Sequence, residues 1–170
     1  MENISSARPP KKTDSEEYDL VVLGSGAGSK LAAWTLAQQG KRVAVIERKY
    51  IGGSCPNIAC LPSKNIVHSA KVASYFRRRE EFGIVTKVFT IDMSAVRDRK
   101  RRMVSGEVDA HLDNYKRSGA ELIFGSGRFI GPKTLEATLP DGTNRRLRGT
   151  NVIIGTGTRA ALDIETTVAG

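Results

Sequence analysis

Long apolar runs are missing from this sequence. No stretch approaches the roughly 20 consecutive apolar residues that span a bilayer, and residues 1–17, MENISSARPPKKTDSEE, lack the apolar core of an export signal. The expectation is a polar, disordered tail over 1–17 on a cytoplasmic protein with no membrane contact. Cysteine is almost absent as well. With only Cys55 and Cys60 among 170 residues, a disulfide-stapled scaffold is excluded, and a close pair in a reducing compartment is more often catalytic or metal-binding than structural. Aromatic residues make up only 6%, and their scarcity bears on the charge.

A net charge of +9 invites a nucleic-acid partner, so its distribution matters more than its size. Much of it lies in RRRE at 77–80 and RDRKRR at 97–102. The second cluster opens a helical pattern from about Ser94 to Lys116, in which Val96, Met103, Val104, Val108, Leu112 and Tyr115 approximate one apolar face. The arginines then fall mainly on the opposite side. No binding motif and no interleaved aromatic accompanies them, which makes them a solvated face and argues against nucleic acid.

Residues 18–48 carry the clearest local pattern: YDLVVLG as a strand, SGAGSKLAAWTLAQQG as a helix stopped at Gly40, and KRVAVIE as a second buried strand. Leu31, Ala32 and Leu36 are inward candidates on the helix. Between strand and helix stands Gly24-Ser25-Gly26-Ala27-Gly28-Ser29, the context in which a glycine fingerprint signals a dinucleotide. Gly24 permits the tight turn, and Gly26 lets a pyrophosphate approach N–H groups at the positive end of the helix. Ser29 takes the third glycine position, where close helix-to-strand contact demands a small residue. Glu47 ends the second strand, 23 residues after Gly24, where a ribose-binding acid belongs. Further on, a helix is expected through SKNIVHSAKVASYF. ELIFG, GRFIG, TLEATL and RRLRG read as a meander of short strands, followed by a separate strand in NVIIGTGTRA.

IGGSCPNIACLPSKN at 51–65 holds the two thiols. Five residues of regular helix advance about 7.5 Å, while bridged cysteines need Cα atoms closer than roughly 7 Å, so Cys55 and Cys60 can bond only where the first turn is irregular. Gly52, Gly53 and Pro56 supply that irregularity. This places Cys55 on the lip and Cys60 deeper, in the helix. A loop so short gains little unfolded-state constraint, making the pair a poor staple and a plausible reagent. A zinc module with His68 and His111 leaves the flanking Gly-Gly and Pro-Ser-Lys without a role, and both histidines read as ordinary helix residues.

Together Gly24-x-Gly26, Glu47, GGSCPNIACLPSK and IIGTGT resemble the FAD-dependent pyridine nucleotide–disulfide oxidoreductases, the group of dihydrolipoamide dehydrogenase, glutathione reductase and mercuric reductase. The resemblance covers about residues 18–160. VDAHLDNYKRSGAELIFGSGRF is most similar to the mercuric reductase-like branch, although CPNIACLPSKN departs from its CVNVGCVPSK. The resemblance implies an α/β, Rossmann-like FAD/NAD(P)-binding domain with a parallel sheet, helices and an antiparallel β-meander. It implies FAD as cofactor, NADH or NADPH as donor, and no resident metal. Cys55 would be the interchange thiol and Cys60 the thiol facing the flavin, with Lys64 near the ring. Gly24, Gly26, Gly28 and Glu47 would hold the adenosine diphosphate half, and Gly53, Ser54, Gly127, Thr156 and Gly157 would lie near the cofactor. A small-molecule, disulfide or metal-ion acceptor and a homodimer are implied for the complete enzyme. Residues 161–170 would begin a following segment, and the chain would be an N-terminal flavin portion without turnover of its own. The alternative is a non-catalytic nucleotide-binding or regulatory remnant.

Overall fold

The computed structural model describes residues 15–86 and 88–158. The chain forms β1 (Glu16–Leu23), α1 (Ala27–Gln38), β2 (Val43–Glu47), the single turn α2 (Ser54–Asn57), α3 (Cys60–Arg77), a 3₁₀ turn at Arg79–Phe82, and α4 (Met93–Ser118). Four strands follow: β3 (Glu121–Phe124), β4 (Ser126–Gly131), β5 (Thr134–Thr138) and β6 (Asn144–Ile154). All six strands belong to one sheet, in the order β3-β2-β1-β6-β5-β4. The neighbours β3, β2, β1 and β6 run parallel, while β5 and β4 complete the sheet as antiparallel strands. Among the described residues no helix is long and apolar enough to cross a membrane.

Strand β2 shows why the sheet is central. Val43 and Val45 join Leu20, Val22, Ala33, Ile51, Tyr115 and Ala120 on the helical face. Ala44 and Ile46 join Val21, Ile123, Leu135, Ala137 and Leu147 on the other. Successive side chains of a strand point to opposite faces, and a parallel strand covered on both sides therefore reads as an unbroken apolar run. Helix α4 closes the helical face. Asp92 caps its start by accepting from Ser94 N and Ala95 N at 2.8 and 3.1 Å, and Gly119 ends it in the left-handed conformation at φ 78°. Arg97, Arg101 and Arg102 are exposed, but Arg99 turns inward to donate to Asn65 O at 2.5 Å and Ser69 Oγ at 2.7 Å.

The structure departs from the expected order in four places. ELIFG does not join the meander, because α4 returns the chain beside β2 and β3 pairs with it in parallel. RRLRG and NVII form one 11-residue strand; Asn144 to Arg148 pair with β5, while Leu147 to Ile154 pair with β1. Gly149 in its middle is a point of close approach, where a Cβ would stand 2.4 Å from Asn151 O and 3.1 Å from Val21 N. On α1, Leu31 is 58% exposed while Ala33 is fully buried and Ser29 nearly so, because the face that meets the sheet must be small. Finally, Glu16 and Glu17 belong to β1, so the tail expected over 1–17 stops short of them. Residues 1–14 and the segment expected over 161–170 lie outside the described residues.

A polar clasp joins β1, β3 and β6. Arg145 donates to both carboxylate oxygens of Glu16 at 2.9 and 2.6 Å and to Glu121 at 2.8 Å, and Tyr18 donates to Glu121 at 2.6 Å. The Arg145 hydrogen bonds hold the Glu16 carboxyl below its usual range. Burial works to raise Glu121, but Arg145 and Tyr18 outweigh it and the net direction is down. Folded-state acidity above the unfolded value means that this stabilisation is complete above the ordinary carboxylate range and is lost as pH falls through the lowered values. Arg145→Met is expected to cost about 1–2 kcal/mol at pH 7, the partial exposure discounting the usual worth of charged hydrogen bonds. Urea unfolding should show the wild-type and variant midpoints converging as pH is lowered below about 4.

Candidate functional site

The parallel strands deliver three loops to one end of the sheet, and a cleft of about 740 Å³ opens among them. Its floor is the turn between β1 and α1. Gly24 has φ 98°, and a Cβ there would lie 2.3 Å from Gly155 O, so both conformation and space require glycine. Gly26 caps α1 without any side-chain cap, leaving first-turn N–H groups toward the cleft without an intrahelical partner. A Cβ on Gly26 would meet only Gly155 O, at 3.8 Å, and one on Gly28 would meet nothing within 4 Å. Both glycines are open on the cleft side. Ser29 instead faces the sheet: a Cβ on Gly155 would fall 1.8 Å from Ser29 Oγ. Serine in the helix and glycine just past the end of β6 thus share a space with no room for a second side chain.

Glu47 stands at the end of β2 with its carboxylate engaged by the chain itself. One oxygen accepts from Ser25 N and Ser25 Oγ at 2.8 and 2.7 Å, and the other accepts from Lys49 N and Tyr50 N at 2.8 and 3.0 Å. Burial works to raise its pKa, but these hydrogen bonds outweigh it and hold the carboxyl below its usual range. The Ser25 hydroxyl also accepts from Gly52 N at 3.0 Å. A carboxylate offers about four lone-pair positions, so Glu47 is first a brace between the glycine turn and the loop that follows β2. Ser25 was absent from the expected site; a hydroxyl inside Gly-x-Gly was its only signal.

That loop leads into the cysteines. Gly52 and Gly53 have φ of 84° and 83°, and a Cβ on Gly53 would lie 2.8 Å from Gly26 Cα. Asn57 Nδ2 donates to Ile51 O and Gly53 O, both at 2.8 Å, and pins α2 to the glycine pair. The expected irregularity lies between the cysteines: Ile58, with φ −134°, and Ala59, with φ −117° and ψ −98°, break the helix. The break leaves both as free cysteines, near enough for Cys60 to act on the titration of Cys55. It also reverses the expected exposure, for Cys55 is half-buried on the cleft wall and Cys60 is exposed. Cys60, not Cys55, begins the long helix α3. The Cys55 thiol is pushed up chiefly by the neighbouring Cys60 thiol, then by burial and the Cys60 charge, while Lys30 and Lys64 pull it down.

Among the expected cofactor residues, Gly24, Gly26, Gly28 and Glu47 line the cleft with Gly53, Ser54 and Cys55, and Gly127, Thr156 and Gly157 close it from the far strands. Gly127 lets β4 fold over the sheet, since a Cβ would stand 2.4 Å from Leu23 Cδ1. Cys60 and Lys64 are not in the lining, and Lys64 is exposed on α3. Among the described residues no group of three or more His, Cys, Asp or Glu side chains gathers as a metal site. His68 is exposed, whereas His111 is buried and bonded to Lys30, a lysine that the sequence pattern had not singled out.

Residues 18–167 match the family model described as pyridine nucleotide-disulphide oxidoreductase. The chain is 36% identical over 148 residues to a dihydrolipoyl dehydrogenase of Mycobacterium leprae, covering 85% of this chain and 32% of that protein. It is 32% identical to a soluble pyridine nucleotide transhydrogenase of Pseudomonas putida, covering 84% of this chain and 31% of that protein. Among solved structures it is similar to the HOCl-induced flavoprotein disulfide reductase RclA from Escherichia coli, studied as a Cu(II) complex, with TM-score 0.73 and 28% identity. That match covers 88% of this chain and 30% of RclA, and the mixed sheet is that of a Rossmann-like flavoprotein reductase.

The exchange of bulk between Ser29 and Gly155 is testable. Gly155→Ala alone is expected to lose about 1–3 kcal/mol of stability through overpacking against Ser29. Ser29→Gly should relieve it in the double variant, giving a coupling of at least about 1 kcal/mol in a double-mutant cycle by urea unfolding.

Proposed function

The chain belongs to the pyridine nucleotide-disulphide oxidoreductase family, whose members use FAD with NAD(P)H as electron donor. On that premise we propose that it forms the FAD-holding, redox-disulfide part of an oxidoreductase, passing electrons from NAD(P)H through FAD to Cys55–Cys60 and on to an acceptor. The observation that carries this reading is that the uncapped N-terminus of α1 and the Cys55 thiol share one cleft. The chain spans about a third of the curated relatives it matches, so acceptor, partners and turnover belong to the proposal.

The residues present fit FAD. The N–H groups after Gly26 offer a pyrophosphate an unfilled donor set at the positive end of a 12-residue helix. The missing side chains at Gly26 and Gly28 leave room for its approach. Glu47 lies on the same wall, where a ribose hydroxyl would share an oxygen already held by Ser25 or by Lys49 and Tyr50. When bound, FAD supplies the two-electron link between a hydride donor and the cysteine pair.

The chain's own chemistry is dithiol exchange. Two electrons and two protons convert the Cys55–Cys60 disulfide to two thiols. The Cys55 thiolate attacks one sulfur of an acceptor disulfide, forming a mixed disulfide and releasing the other acceptor sulfur as thiolate; Cys60 then displaces the bound sulfur and restores the internal bridge. Lys64, exposed on α3, adds positive charge near Cys55. The proposed acceptor is a small-molecule disulfide or, as the mercuric reductase-like features of the sequence favour, a metal ion. A cytoplasmic homodimer acting without membrane or nucleic acid completes the reading.

Gly26→Ala isolates the cofactor claim, since the added methyl meets only one ordinary protein contact and projects toward the expected pyrophosphate. Equilibrium FAD titration is expected to show at least about a ten-fold loss of affinity, the scale of one charge-assisted hydrogen bond, with unchanged urea stability; equal affinities would remove the pyrophosphate assignment. In the wild-type chain, saturating FAD should slow alkylation of Cys55, the thiol on the cleft wall.

A further inference from the structure

Lys30 and His111 lie outside the cleft lining, yet His111, which Lys30 contacts, rests on the loop that carries Cys55. Lys30, in the first turns of α1, is half-buried and donates to His111 Nε2. His111 comes from α4 and is 8% exposed. Its Nδ1 contacts the Glu107 carbonyl, which can only accept, so the ring proton belongs on Nδ1 and Nε2 is left as an acceptor for the lysine. The ring rests on Gly52, where a Cβ would come within 2.8 Å of both Cδ2 and Nε2. Trp34 backs the pair, with its ring 5.8 Å from His111 and 5.7 Å from Lys30 Nζ. The ammonium is therefore held one imidazole contact away from the backbone three residues before Cys55.

Cys55 has need of such a charge. It sits in the one-turn helix α2, while the aligned peptides of α3 begin at Cys60, so the long helix does not serve Cys55. The groups whose charge favours its thiolate are Lys30 from α1 and Lys64 from α3, against Cys60, which opposes it. Lys64 is exposed and screened by solvent; Lys30 is partly withdrawn from solvent. Glu107 on α4 and Cys55 itself are the groups whose negative charge supports Lys30 in its charged form against the burial that lowers its pKa.

We propose that Lys30, tethered by the buried His111, is a positioning residue that supplies the positive charge favouring the Cys55 thiolate, so that the packing of α1 against α4 sets the reactivity of the cleft thiol. Of the three N–H donors of the ammonium, His111 takes one and holds the charge beside the Gly52 loop. This rests on the dithiol reading above and adds to it the residue that tunes the exchange step.

The test uses the full 170-residue chain in a Cys60→Ala background, where iodoacetamide can modify only Cys55. The alkylation rate is followed against pH for the parent and for Lys30→Met, Lys30→Gln, Lys30→Arg and Lys64→Met. Lys30→Met is expected to move the profile to higher pH and slow the neutral-pH reaction roughly three- to ten-fold, a shift of about half to one pH unit. Lys30→Gln, which keeps a donor for His111 without the charge, should do the same and serves if the Met variant fails to fold. Lys30→Arg should restore most of the rate. The Lys64→Met effect should be smaller and vanish at high salt. A purely structural lysine would leave the pH profile in place: identical profiles for Lys30→Gln and parent, or no recovery with Arg over Gln, would overturn the proposal. FAD titration on the same proteins separates the two claims, because absence of binding in the parent overturns the flavin reading while the alkylation profile alone decides the role of Lys30.

Discussion

Backbone meets backbone at the start of α1, with no side chain between. Gly24 lies against Gly155 O, and Gly26 Cα lies against the position a Gly53 Cβ would take. The close approach draws the β1–α1 turn, the end of β6 and the loop after β2 to one end of the sheet. Every other feature of the cleft follows from it. The helix start is unobstructed because its cap is glycine, the cysteine loop reaches the helix because Gly53 has no side chain, and α1 can lie close to the sheet because its inward face is Ser29 and Ala33. A parallel sheet delivers its loops to a common end, and here glycine sets how closely they meet.

Polar contacts then join what the glycines bring together. Ser25 accepts from Gly52 N and donates to Glu47, and Glu47 holds Lys49 N and Tyr50 N. The turn at the phosphate end and the loop leading to Cys55 thus share one buried hydroxyl and one carboxylate. On the opposite side of the loop, His111 and Lys30 provide a second junction between Gly52 and the two helices. A loop held from both sides limits the positions open to the thiol it carries, which is how a fold made for holding a dinucleotide also orients a reagent.

Much of this was legible in the order of residues. The βαβ start, α4, the short strands and the glycine fingerprint each rest on local signals: periodicity, capping and turn chemistry. The ten expected site residues that line the cleft follow from motifs whose spacing is itself local. The failures came where partners are distant. ELIFG has the same strand character in a meander or beside β2, and only the return of α4 chooses. Gly149 resembles a strand end until Val21 is seen beside it. Leu31 outranks Ser29 in hydrophobicity, but space at the sheet selects the smaller residue.

By itself the sequence determined that the chain has a nucleotide-type turn, an acid after the second strand, and two thiols near a glycine pair, because each depends on conformational limits of residues adjacent in the chain. Tertiary structure decided which of those groups are free to act. Glu47 has its lone pairs engaged by four donors, Cys55 rather than Cys60 lines the cleft, and Lys30 acquires a role through a histidine 81 residues away. Hydrogen-bond saturation, exposure and charge at a thiol depend on groups brought together from separate elements, and no local pattern of residue types encodes that encounter.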